Sequence, residues 1–283
     1  MIHIEWADEP HIIVKNRRFK PHVRRLKDMK AVLYDQEFAE HADPEMPLYF
    51  MYRDISASDA DAHKMMKRGI RYDITIIPPN TLGIEFVKTI GHYHPAVPSA
   101  PHLTYPEIYE VQSGKAHFLL QKREVFHGVG GREAVKVKKE ECREEKENWQ
   151  LITDVVLISA EEGEKVVIPP NYGHVTINPA DETLCMANFV ARHFSSIYED
   201  YLNKRGAAYF ELADGKFVKN ERYGELPEIR FLNAPDDIIP EMPMYMLKDD
   251  DMLDFLVHPE RFSDIFERCL SNTKRLSNTK RKS

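Results

Sequence analysis

The sequence predicts an all-β-dominated protein, an antiparallel sandwich or barrel with helical extensions at its N- and C-terminal ends. Three observations predict it. From Asp73 the chain breaks into short β-branched and aromatic runs: DITIIPP, GIEFVKTIGHYHP, EIYEVQSG, KAHFLLQK, LITDVVLIS, EKVVIPP, HVTINP and TLCMANFVA. Several of them alternate apolar with polar residues, the period of a half-buried strand. Turns rich in Gly, Pro, Asn and Asp separate them at regular spacing.

In chain order, residues 1–64 read as an N-terminal arm of short strands and one helix, the helix in RRLKDMKAVLYDQEFAEHA, where apolar residues recur at roughly helical spacing. Residues 65–200 hold the barrel. Inside it, residues 123–150 interrupt the strand pattern with glycines and a dense block of mixed charge, which reads as a solvated hairpin extension or loop. Residues 201–270 form a C-terminal extension of Pro-punctuated apolar pieces, with a final helix from about Asp249. Residues 271–283 repeat SNTKR, a basic tail too poor in apolar residues to pack and expected to be disordered.

Composition excludes several function classes. A chain of 283 residues can bury one substantial core with appendages. A formal net charge of -7 argues against a nucleic-acid binder. No apolar run of membrane-spanning length occurs, and the opening lacks a signal-peptide pattern, so a cytoplasmic protein without membrane partners is expected. Cys142, Cys185 and Cys269 lie far apart and form neither a disulfide framework nor a zinc ribbon.

The chemistry concentrates in three segments. In TIGHYHP, His92 and His94 stand one residue apart, and side chains at i and i+2 leave a strand from the same face. Glu107 opens the next strand, expected to return beside the first and offer an oxygen ligand. His174 follows a Pro-Pro turn in PPNYGHVTIN and offers a third imidazole. Alone, each has an ordinary structural reading; together they make a set of three nitrogens and one oxygen. That set suits one divalent transition-metal ion, Fe²⁺, Mn²⁺, Ni²⁺, Co²⁺ or Zn²⁺, better than Ca²⁺ or Mg²⁺. Tyr109 shares the face of Glu107, where its phenol either meets a substrate hydroxyl or fills the barrel. His102 reads as a loop histidine, and Lys88, Lys115 and Lys122 as strand-surface charges with a possible role at an anion.

The segments TIGHYHP, EIYEVQSG and IPPNYGHVTIN resemble the two cupin motifs, and more narrowly those of the archaeal cupin-type phosphoglucose isomerases, over about residues 65–200. Thr89, Gly91, His92, His94, Glu107, Tyr109, Gly114, Pro169, Pro170, His174 and Asn178 match the fixed positions. The resemblance implies a cupin fold, a double-stranded β-helix or jelly-roll-like barrel. It also implies metal-dependent interconversion of glucose 6-phosphate and fructose 6-phosphate, and a homodimer. His92, His94, Glu107 and His174 would hold the metal, Glu107 and Tyr109 would be catalytic, and Thr75, Thr89 and Gly91 would lie near the sugar phosphate. One departure stands out. Compact members carry a phosphate-binding tyrosine near the end of the strand after the last metal histidine; here that region reads CMANFVARHFSSIY, where Phe189 and Val190 cannot donate a hydrogen bond. Arg192, Ser195 and Tyr198 are the candidate substitutes. Three alternatives stay open: an isomerase or epimerase of another sugar or sugar phosphate, a cupin dioxygenase, and a non-enzymatic sugar-binding cupin.

Overall fold

The computed structural model describes residues 2–5, 10–126, 149–235 and 238–271. The tip of the charged insertion, with Cys142, and the tail from residue 272 lie outside the described residues.

Two sheets face each other. The strands are β1 (His22–Arg25), β2 (Pro47–Tyr52), β3 (Ile70–Ile77), β4 (Glu107–Ser113), β5 (Lys115–Phe126), β6 (Trp149–Glu161), β7 (Lys165–Ile168), β8 (Tyr172–Ile177), β9 (Leu184–Ala191) and β10 (Arg230–Asn233). One sheet has the order β7-β4-β9-β3-β2-β1 and the other β8-β5-β6-β10. Only the contact of β6 with β10 is parallel within these two sheets. From β4 to β9 the chain passes repeatedly between the sheets, the winding of a jelly-roll, and the strand-dominated cupin expectation holds.

Two features depart from the expected organisation. The six-stranded sheet takes in β1 and β2, so it crosses the expected boundary at residue 64. The single helix expected across 24–42 is instead two 3₁₀ turns and a short helix α1 (Gln36–His41), capped by the Asp35 carboxylate accepting from the Phe38 N–H. A second helix, α2 (Asp59–Lys67), is capped by Ser58, with Asp59 and Asp61 in its first turn and Lys64 and Lys67 in its last.

Both sheets are covered on their outer faces. Beyond Tyr201, which lies in α3 (Glu199–Asn203), Ala207, Ala208 and Tyr209 pack on Tyr93, Leu119, Leu157 and Val175 over the four-stranded sheet. Farther on, Met244, Leu247, Leu253, Phe255 and Leu256 pack on Tyr72, Ile74, Ile108 and Phe189 over the six-stranded sheet. The expected final helix from Asp249 is a run of 3₁₀ turns (Met244–Asp249, Asp251–Leu256, Pro259–Arg261), and only α4 (Ser263–Cys269) is α-helical. Pro259, which lacks a backbone donor, interrupts this stretch, and at Asp250 the side chain accepts the Met252 N–H and starts a new turn. The buried carboxylate of Glu110, on the outer face of β4, accepts the Met244 N–H and lies 3.2 Å from Lys165 Nζ, fastening the layer down.

Candidate metal centre

His92 and His94 lie on a segment that is not a regular strand. It runs along the edge of β8, where His92 and His174 exchange both backbone hydrogen bonds, at 3.2 and 3.1 Å. This places the His92 and His174 rings side by side, centroids 4.5 Å apart. Glu107 does not return beside this segment, as the sequence reading expected. Its strand belongs to the opposite sheet, because β4 pairs with β7 and β9, so the carboxylate reaches the histidines across the barrel.

The donor atoms of His92, His94, Glu107 and His174 lie within 4.8 Å of one another. His92 Nε2 is 3.1 Å from His94 Nε2, and Glu107 Oε2 is 3.4 Å from His94 Nε2 and 3.3 Å from His174 Nε2. The Tyr105 carbonyl, 2.8 Å from His94 Nδ1, accepts its proton, which leaves the Nε2 lone pair facing the cluster. Glu107 is oriented by Asn188, whose Nδ2 donates to Oε1 at 2.6 Å. Glu107 Oε2 is buried and has no hydrogen-bond partner, and buried polar atoms rarely go unmatched. Three imidazoles around an unsatisfied carboxylate oxygen form a group that fits a metal ion.

Electrostatics agree. Burial, reinforced by the neighbouring His174 and His94, pulls His92 well below the usual imidazole range, and burial lowers His174 despite Glu107. Both are therefore held neutral, the ligand form. Burial pushes the Glu107 carboxyl up, but His174 and His94 outweigh it and hold it well below the usual carboxylate range. The Tyr109 phenol is pushed well up by burial and the Glu107 charge, and so stays a donor; its oxygen lies 3.1 Å from His174 Nε2.

The cavity above this cluster is lined by all eight residues that the sequence reading assigned to metal, catalysis or phosphate, including Thr75, Thr89 and Gly91. Thr89 Oγ1 accepts the Thr176 N–H at 3.0 Å, leaving its own proton to donate. Gly91 is demanded by packing: at φ +86° a Cβ would come within 2.5 Å of Tyr201 and Val175. His102 lies exposed on a short strand (Ala100–Thr104), its carbonyl accepting from Asn171. None of the three lysines reaches the cavity. Lys88 is buried against Glu85, Lys115 pairs with Glu161, and Lys122 pairs with Glu124.

Of the tyrosine substitutes, Arg192 is spent on a bidentate pair with Asp54 at 2.5 and 2.7 Å, and Ser195 does not line the cavity. Tyr198 does, its ring 5.5 Å from that of His92. Val190 points inward, whereas Phe189 faces the outer layer against Tyr72. Sequence reasoning missed Asn188, Arg53 and Arg71, all on the cavity wall, and Asp73, which is buried beside the two arginines. For Asn188, Arg71 and Asp73 the available signal was a polar or charged residue inside an otherwise apolar strand; Arg53 lies just past the end of its own.

The glucose-6-phosphate isomerase of Thermococcus onnurineus is 26% identical over 199 residues, covering 70% of this chain and 82% of that protein. The one from Thermococcus litoralis is 28% identical over 186 residues, covering 64% and 74%, and that from Pyrococcus abyssi 27% over 207 residues, covering 71% and 87%. Among solved structures, Lactobacillus farciminis oxalate decarboxylase is 17% identical at a TM-score of 0.33, over 63% of this chain and 33% of that one, a likeness too low to carry an argument. The family profile described as Glucose-6-phosphate isomerase (GPI) matches residues 23–228, well over half of the sequence, and so the chain belongs to the glucose-6-phosphate isomerase family.

Proposed function

We propose that this isomerase interconverts glucose 6-phosphate and fructose 6-phosphate, with one divalent transition-metal ion, Fe, Mn, Ni, Co or Zn, held by His92, His94, Glu107 and His174. The observation that carries the reading is the buried, unsatisfied Glu107 oxygen ringed by three imidazoles, in a cavity that Thr75, Thr89 and Gly91 also line. Bound there, the ion would supply Lewis acidity, polarising the carbonyl and the adjacent hydroxyl of an open-chain sugar.

The chain's own residues then have distinct tasks. Isomerisation moves one hydrogen between C2 and C1 and one proton between their two oxygens. In one route Glu107 takes the C2 proton and returns it at C1, a demanding task for a carboxyl whose acidity is raised by its neighbours. In the other the hydrogen passes directly between the carbons, and Glu107 only orients. Reaction in D₂O separates them, because carriage by Glu107 admits solvent deuterium and direct transfer does not. Tyr109, kept protonated, donates to a sugar hydroxyl, and Phe194 covers the His94 ring with centroids 4.6 Å apart.

The test is metal analysis of the purified protein, followed by assay of phosphosugars with and without chelator. Turnover of both hexose phosphates should vanish with chelator and return with added metal. His92→Ala and His174→Ala should each lose most of the metal yet stay folded; normal metal content in both would remove the centre. A metal-loaded protein inert on both sugars would promote an isomerase or epimerase of another sugar.

A further inference from the structure

The wall opposite the histidines carries charge that the metal centre does not use. On the inner face of the six-stranded sheet, Arg71, Asp73 and Thr75 alternate along β3, and Arg53 follows β2 beside them. The Asp73 carboxylate is buried, its side chain 1% exposed. It accepts from Arg53 at 2.7 Å, from Arg71 Nε at 2.9 Å and from the Asp54 N–H at 2.9 Å. One carboxylate thus holds two guanidinium groups, with one positive charge in excess. Only one nitrogen of each arginine is committed to it. The two terminal nitrogens of Arg71 have no acceptor among the described residues, and the second terminal nitrogen of Arg53 meets only the Met51 sulfur, at 3.5 Å. Both side chains line the cavity and are partly exposed, 44% for Arg53 and 22% for Arg71.

Register fixes their distance from the chemistry. Arg71 is the cross-strand partner of Val190, and Val190 is the partner of Glu107. The backbone of Arg71 therefore stands two strands, about 10 Å, from that of Glu107.

We propose that Arg53 and Arg71, bridged by Asp73, form an anion subsite that takes the phosphate of the substrate, with Thr75 alongside. The choice of phosphate as the anion rests on the function proposed above; the subsite rests on the cluster itself. Two guanidinium groups with unused donors in a partly desolvated cleft suit a dianion, with charge-assisted bonds to its oxygens. A single carboxylate bridging both pre-orders them, so little side-chain freedom remains to be lost on binding.

The test uses the metal-loaded protein and Arg53→Met, Arg71→Met, the double variant and Arg53→Lys. Each is read by KM and kcat on glucose 6-phosphate and by inhibition with inorganic phosphate. Each methionine variant should raise KM and the phosphate inhibition constant together by about ten- to a hundredfold, with kcat changed far less. Arg53→Lys should recover part of the loss. Unchanged KM and phosphate inhibition in the double variant, with the parent active, would overturn the subsite while leaving the isomerase reading intact. A parent inactive on sugar phosphates that still binds phosphate, followed by calorimetry, in an Arg53- and Arg71-dependent way would keep the subsite and retire the isomerase reading. Should a methionine variant unfold, Arg53→Lys decides alone: parental values for both constants overturn the proposal, and a partial rise in both upholds it.

Discussion

At the scale of single residues, the candidate metal cluster is oriented by a residue outside it. Asn188 spends one amide proton on Glu107 Oε1, which fixes which carboxylate oxygen faces the histidines. Asn188→Leu removes that orienting bond and should weaken metal affinity about ten- to a hundredfold, measured by titration of the metal-free protein. Affinity equal to the parent's would show that Glu107 is held by β4 alone. Tyr109→Phe removes a donor and little volume, so it should lower kcat while metal content stays normal. Kinetics identical to the parent's would make the tyrosine a packing residue. The two substitutions would divide the proposed site, one acting through the ion and the other on the sugar.

At the scale of elements, β4 serves two faces. Glu107 and Tyr109 point inward, and Glu110 points outward to the Met244 N–H and Lys165. Lys165 is itself nearly buried, its side chain 8% exposed. Glu110→Leu would leave that ammonium without its carboxylate, with only the Gly163 carbonyl at 3.4 Å, and the Met244 N–H without an acceptor. Breaking a buried pair from one side costs about 3–5 kcal/mol, and urea unfolding should register a loss of that order. A change below about 1 kcal/mol would mean the pair is solvated, as at an open surface. The strands were legible because their alternation and turn residues survive in DITIIPP, EIYEVQSG and HVTINP. The four residues of the candidate metal cluster were legible because HxH, the Glu of EIY and the His after Pro-Pro are local patterns. What stayed hidden was non-local. Arg53 and Arg71 become one cluster only when β2 pairs with β3, and no spacing in the sequence announces that. The short helices misled because helical periodicity over RRLKDMKAVLYDQEFAEHA cannot distinguish an α-helix from successive turns that bury Leu26, Met29 and Val32.

At the scale of the whole molecule, both sheets are sandwiched between the barrel interior and the covering segments that follow Tyr201. Two thiols report on this. Burial pushes Cys185 on β9 and Cys269 on α4 each up to about 12, so at pH 8 only about one in ten thousand of either is thiolate. Neither should react with a thiol reagent until the fold opens, and denaturant should release both. In Glu110→Leu, Cys269 should react first, because α4 belongs to the layer that loses its fastening. Simultaneous release would show that layer and barrel unfold as one unit. The central position of β9 also sets the rhythm of the molecule. Every residue of Leu184–Ala191 is buried, and the strand is bonded on both edges. Its amides should therefore be among the slowest to exchange with solvent, measured by hydrogen exchange, which would mark the strand carrying Asn188 as the most rigid part of the wall. Whatever breathing admits a sugar must therefore come from the turns at the rim, while the wall that aims the carboxylate keeps still from one turnover to the next.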